Sequence, residues 1–135
     1  MKRRDMAIAA AAALLIGVYI GTRSGGVSGM TKNDLTMRGK NFIRRINRRD
    51  YDACVSTFGK NMRETMDKAR LSGTFGPALD TLGSFVKFRT VSFSKPDKLE
   101  GDYVLCRIKC DHERGQTTYN ILFNKDGEIC GLHLK

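Results

Sequence analysis

The sequence predicts an α+β domain: N-terminal helices packed on one face of a curved four-stranded antiparallel sheet, preceded by a hydrophobic signal-anchor helix. Three observations predict it. An unbroken apolar run at residues 6–21 follows a basic tip at residues 2–4. Between Thr31 and Gly83 the apolar residues recur at helical spacing, and beyond Gly83 they recur every second residue. The connections between the late apolar stretches are so short that their strands must be antiparallel neighbours.

The apolar run of 16 residues is short for a membrane span, which needs about 20, and has the length of a signal h-region. Lys2, Arg3 and Arg4 orient it, keeping the tip in the cytoplasm and sending the rest outward. Tyr19, Ile20, Thr22 and Arg23 spoil a small-x-small cleavage pattern, which favours an uncleaved anchor over a cleaved signal. The expected location is the cell membrane, with the domain outside the cytoplasm, or secretion if the signal is cleaved. Residues 22–30 read as a flexible Gly/Ser tether, and residues 31–135 as the single folded domain.

Thr31 with Asp34 three residues on suggests a capping-box start. Leu35, Phe42, Ile43 and Ile46 then lie on one helical face, with Arg38, Lys40, Arg44, Arg45 and Arg48 around the rest. Asp50 is placed to cap a second helix bearing Tyr51, Cys54, Val55 and Phe58, closed by Gly59. A third is expected from Asn61 and Glu64, carrying Met62, Met66 and Ala69. A short fourth would open at Gly76-Pro77 and end at Gly83. Residues 85–94 are strand-like with irregular alternation, which suggests a bulge. "KPDKLEGD" reads as a loop, and residues 103–112, 116–124 and 128–134 as three strands joined at "ERGQ" and "NKDG".

"RRINRRDYDACVSTFGKNMRETMD", "GSFVKF" and the closing "ILFNKDGEICGLHL" together resemble a family of small exported bacterial domains of unknown function. Those in turn resemble the cone-shaped nuclear-transport-factor-2-like superfamily, which includes ketosteroid isomerase and polyketide cyclases. The resemblance implies a cystatin-like sheet wrapped by helices and dimers formed sheet to sheet. In some relatives the domain stands ahead of an α/β-hydrolase. The likeness covers residues 34–134 and rests on turn and core signals, so it transfers no catalytic residue. The tryptophan common near the fourth helix is missing, since the chain has none.

Four-residue loops at both hairpins would align Cys106 with Phe123 and Glu128, Ile108 with Ile121 and Cys130, and Cys110 with Tyr119 and Leu132. Cys106 and Cys110 are then about 13 Å apart along one strand, and Cys130 lies two strands away. A disulfide requires closer α-carbons, so only Cys54 on its helix is placed to reach one of them. Zinc binding asks for a Cys pair on a turn, and a catalytic thiol asks for a base and exposure. Buried thiols in the core, with one Cys54 disulfide as the alternative, fit the pattern best. No cofactor or metal is expected.

The same register sets Asp111, Thr118 and His133 in one row of the other sheet face, where a solvated polar row is the simpler reading than a hydrolytic site. It also groups Leu105, Arg107, Leu122 and Ile129 at that face's centre, an aliphatic middle with a basic rim. That grouping suggests a homodimer or a protein partner. Tyr51, Tyr119 and Asp80 are candidates for the domain interior, as acids and tyrosines are in the isomerase-like relatives.

The net charge is +10, and the body beyond the tether keeps +7 of it, 20 basic against 13 acidic residues. Such a balance favours anionic partners. No arginine-rich tract, aromatic motif or zinc-finger spacing appears, so nucleic acid is not expected. The stripe of Arg38, Arg44, Arg45, Arg48 and Arg49 could rest on anionic lipid or wall polymer, or be a solvated face. The function expected is a membrane-tethered extracytoplasmic binding domain without catalysis. The alternative is a small-molecule-binding domain or enzyme working in the interior, which would need convergent titratable groups among apolar walls.

Overall fold

The computed structural model describes residues 30–95 and 103–135. The expected signal-anchor, most of the tether and the "KPDKLEGD" loop after Lys95 lie outside the described residues. Among the described residues no helix is long and apolar enough to cross a membrane. The chain runs α1 (Lys32–Asn47), α2 (Tyr51–Val55), α3 (Lys60–Thr65), α4 (Lys68–Leu82), β1 (Phe85–Ser94), β2 (Val104–His112), β3 (Gly115–Phe123) and β4 (Ile129–Leu134). The strands form one antiparallel sheet in the order β1-β2-β3-β4. This is the α+β meander that the change of period indicated.

Helix α1 begins at the capping box: Asp34 N–H donates to Thr31 Oγ1 at 3.1 Å, and Thr31 N–H to Asp34 Oδ2 at 3.0 Å. Its buried stripe is Leu35, Gly39, Phe42, Ile43 and Ile46. Gly39 brings α1 close to the sheet, since a Cβ there would stand 2.8 Å from Ile108 Cδ1 and 3.5 Å from Ile121 Cδ1. The face of the sheet carrying Cys106, Ile108, Cys110, Tyr119 and Ile121 is therefore the inner one, and all five residues are buried. Phe42 and Phe58 meet in the core with ring centroids 6.2 Å apart.

The middle helices differ from the sequence reading. Helix α2 stops at Val55, because Thr57 and Phe58 leave it to run beside β4. Ile129 N–H donates to Thr57 O and Gly59 N–H to Ile129 O, both at 2.9 Å. Gly59 is consequently the N-cap of α3 at φ −68°, not a left-handed terminator of α2. Asn61 lies inside α3 instead of starting it. Helix α4 begins eight residues before Gly76, capped by Asp67, whose carboxylate accepts from Arg70 N–H at 2.9 Å. Pro77 is thus within the helix. The carbonyl it leaves without a donor belongs to Gly73, which is exposed and open to water. Gly83 ends α4 in the left-handed region, φ 79°, as expected.

Both hairpins differ in register from the four-residue loops assumed. His112 pairs with Gly115, so the first turn contains only Glu113 and Arg114, and Cys106 faces Ile121 instead of Phe123. The end of α4 closes this turn. Glu113 and Arg114 N–H donate to Ser84 and Leu82 carbonyls at 2.9 Å, and the Arg114 guanidinium donates to the Asp80 and Thr81 carbonyls at 2.6 and 3.1 Å. The shift is two residues, so every side chain keeps its face. In the second hairpin Asn124 Oδ1 accepts from Asp126 and Glu128 N–H, and Glu128 Oε1 accepts from Asn124 Nδ2. Ile121 pairs with Leu132, but Phe123 pairs with Ile129, leaving Cys130 as an extra residue. Two irregularities also interrupt β1.

Candidate functional site

Inside the domain one polar chain is set among apolar walls. Tyr119 of β3 and His112 of β2 share the inner face, and Asn47 enters from the last turn of α1. His112 Nδ1 lies 3.1 Å from the Gly83 carbonyl, and Nε2 lies 3.1 Å from the Tyr119 hydroxyl. A carbonyl can only accept, so Nδ1 carries the proton and Nε2 accepts from Tyr119 O–H. Asn47 Nδ2 donates to the same phenol oxygen at 3.1 Å and to Ile43 O at 2.8 Å. Burial pushes the Tyr119 phenol above its usual range, against the Asn47 hydrogen bond. Burial likewise lowers His112, while the Gly83 carbonyl and Asp111 oppose it. The pair rests as neutral imidazole and neutral phenol. Tyr119 is 1% exposed and His112 5%, so the chain of bonds serves a closed core. Of the other interior candidates, Asp80 is exposed and pairs with Arg49 at 2.8 Å, and Tyr51 is half-buried.

The arginine stripe separates into parts with different surroundings. Arg49, at φ 61° in the turn after α1, is spent on Asp80. Lys40 and Arg44 lie 5.1 Å from the Phe88 ring centroid, on the β1 side of the helix. Arg48 is exposed at the C-cap. Arg38 and Arg45, seven residues apart and so on one helical side, turn toward the β3–β4 hairpin. There they line a pocket of about 280 Å³ with Asn41, Thr57, Phe123, Gly127 and Ile129. Arg38 Nη1 donates to Gly127 O at 3.0 Å. Among the described residues, Arg38, Lys40, Arg44, Arg45 and Arg48 form no ion pair with a carboxylate.

The outer sheet face departs most from expectation. The bulge at Cys130 turns Ile129 opposite Phe123, 1% exposed and bridged to Phe58, so it does not join the outer row. Leu105 faces Leu122, and Arg107 faces Asn120. Leu122 is 2% exposed and Leu105 half-buried, leaving Arg107 as the exposed member of the four. Asp111, Thr118 and His133 do not align either: Asp111 pairs with Gln116, Thr118 with Lys109, and Asn120 with His133. Asp111 instead binds Arg89 Nε at 2.7 Å and Gln116 Nε2 at 2.8 Å. All four cysteines are free and buried, and burial pushes each thiol up to about 12.

Sequence reasoning missed Asn47 as the phenol's partner, and Asn41, Thr57, Phe123 and Gly127 as companions of Arg38 and Arg45. The seven-residue spacing of the two arginines was a signal for a shared side. Nothing local placed Thr57 or Phe123 beside them.

These features define a small α+β domain, helices with an open four-stranded antiparallel sheet. The chain belongs to the DUF3887 family, described as a protein of unknown function, whose model matches residues 39–132. No curated protein and no solved structure matches the chain.

Proposed function

We propose that this domain is a non-catalytic binding module, held outside the cytoplasm by its N-terminal apolar segment, that rests its basic helix face on an anionic envelope component. The observation that carries the reading is the unneutralised face of α1. Its sole acidic residue is Asp34, in the first turn, and five of its cations have no ion-paired carboxylate among the described residues. A merely solvated helix face commonly interleaves acids at i+4, and beyond Asp34, four residues before Arg38, this one has none. The resemblance to the nuclear-transport-factor-2-like superfamily belongs to the same proposal, as do the bacterial source and the membrane location.

The test uses the full chain in neutral-lipid nanodiscs, titrated with soluble poly(glycerol phosphate) at low and high salt. Each basic residue near an anionic surface contributes about 1 kcal/mol. Replacing Lys40, Arg44 and Arg48 together by Gln should therefore weaken binding on the order of a hundredfold at low salt. Absence of binding, or equal binding by the triple variant, would sink the reading.

A second reading, chemistry in the interior, has one observation in its favour: His112 and Tyr119 are two titratable groups converging among apolar walls. Their mutual hydrogen bond and burial favour a structural role. Self-association through the outer sheet face has Arg107 as its exposed contact, with Leu122 and Ile129 already enclosed. The basic face is the better supported surface.

A further inference from the structure

We propose that the pocket between α1 and the β3–β4 hairpin binds a compact oxyanion, a carboxylate or phosphate group. The polar lining is rich in donors. Arg45 is half-buried and makes no side-chain hydrogen bond or ion pair among the described residues. Arg38 spends one N–H on the Gly127 carbonyl, which seats its guanidinium and leaves the rest of its five donors for a ligand. Asn41 Oδ1 accepts from Arg44 Nη1 at 3.2 Å, which leaves its Nδ2 as a further donor. Among the described residues no carboxylate lines the pocket, so a ligand there meets two guanidinium groups and no negative side chain from them.

Phe123 and Ile129 close the pocket from below as core residues, 0% and 1% exposed, Phe123 fixed within β3 and Ile129 by its two backbone bonds to Thr57 and Gly59. Gly127 keeps the guanidinium close, since a Cβ there would stand 3.2 Å from Arg38 Cζ at a φ of 74°. Two planar donors above a closed floor match the oxygens of a carboxylate or phosphate group. The volume, about 280 Å³, accepts one such group and not a folded polymer. The anion is either a soluble metabolite or a head group displayed on a surface, and the same chemistry serves both.

Phenyl phosphate and inorganic phosphate, titrated into the full chain in a neutral detergent and followed by amide chemical shifts, test the site. Phenyl phosphate should saturate one site, shifting amides in residues 38–45, Thr57 and residues 123–129. Inorganic phosphate should bind the same site within about threefold, because the recognised group is the oxyanion. Arg45→Gln should weaken phenyl phosphate by at least about tenfold, and Arg48→Gln by less than about twofold. Arg38→Gln gives a second readout should Arg45→Gln disturb the circular dichroism. Anionic vesicles that compete with phenyl phosphate mark a head group as the natural ligand, whereas vesicles that do not compete mark a soluble one. Three results overturn the proposal: no saturation; equal losses in the Arg45 and Arg48 variants; or inorganic phosphate binding more than about tenfold weaker than phenyl phosphate. A Lys40→Gln, Arg48→Gln double variant, which keeps the Arg44–Asn41 hydrogen bond, should lose polymer binding and retain phosphate binding, so pocket and surface can fail separately.

Discussion

The Tyr119 hydroxyl stands 3.1 Å from His112 Nε2, and each side chain supplies what the other lacks. The Gly83 carbonyl at Nδ1 settles the tautomer, and that tautomer makes Nε2 an acceptor for the phenol proton. Asn47 then completes the phenol oxygen from the helix layer. Through this chain of bonds, the end of α1, the first hairpin and the terminus of α4 are held at one point.

Tyr119→Phe should destabilise the fold by about 1–3 kcal/mol, since His112 Nε2 is left buried without a donor and Asn47 loses an acceptor. Urea unfolding would show a lower midpoint at an unchanged slope. An unaltered midpoint would mean that the hydroxyl contributes nothing net to the closed core.

Acidification should weaken the fold through His112. Its folded-state pKa lies below the ordinary imidazole value of 6.5, chiefly through burial. The neutral ring's contribution is therefore fully present above about pH 6.5 and is lost as the pH falls toward the folded value. His133, lowered by burial and by Lys135, adds to the same slope. Thermal melts from neutral pH to about pH 5 should fall more steeply for the native chain than for His112→Gln. Parallel curves would exclude His112 as a source of the pH dependence.

Two glycines of the α4 segment should respond to alanine with opposite signs. At Gly83, φ is 79° and a Cβ would lie 2.8 Å from Glu113 Cβ, so Gly83→Ala should cost at least about 1–2 kcal/mol. At Gly73, exposed within the helix, nothing lies within 4 Å of the added Cβ. Gly73→Ala should stabilise by about 0.8–1.0 kcal/mol. Melting temperatures that move in the same direction would show that one of these two environments is described wrongly.

The sequence by itself determined the class, the helix-to-sheet switch at Gly83, the Thr31–Asp34 cap and the inward facing of Cys106, Ile108, Cys110, Tyr119 and Ile121. These depend on local period and on side chains three or four residues apart, which chain connectivity alone brings together. Tertiary structure decided the lengths of the turns. The first hairpin closes at Glu113-Arg114 because the α4 terminus accepts their N–H groups, a partner some thirty residues away. A two-residue shift leaves side-chain parity intact, so the inner face was read correctly from a wrong register. One extra residue at Cys130 does not, and it carried Ile129 from the supposed interface into the core. The basic residues were equally legible, but which of them is spent was not. Arg49 meets Asp80 across the helix layer, and Arg38 and Arg45 form a pocket only because Thr57, Phe123 and Ile129 are brought beside them by strand pairing. Charge is written in composition, whereas its neutralisation depends on contacts between distant parts of the chain.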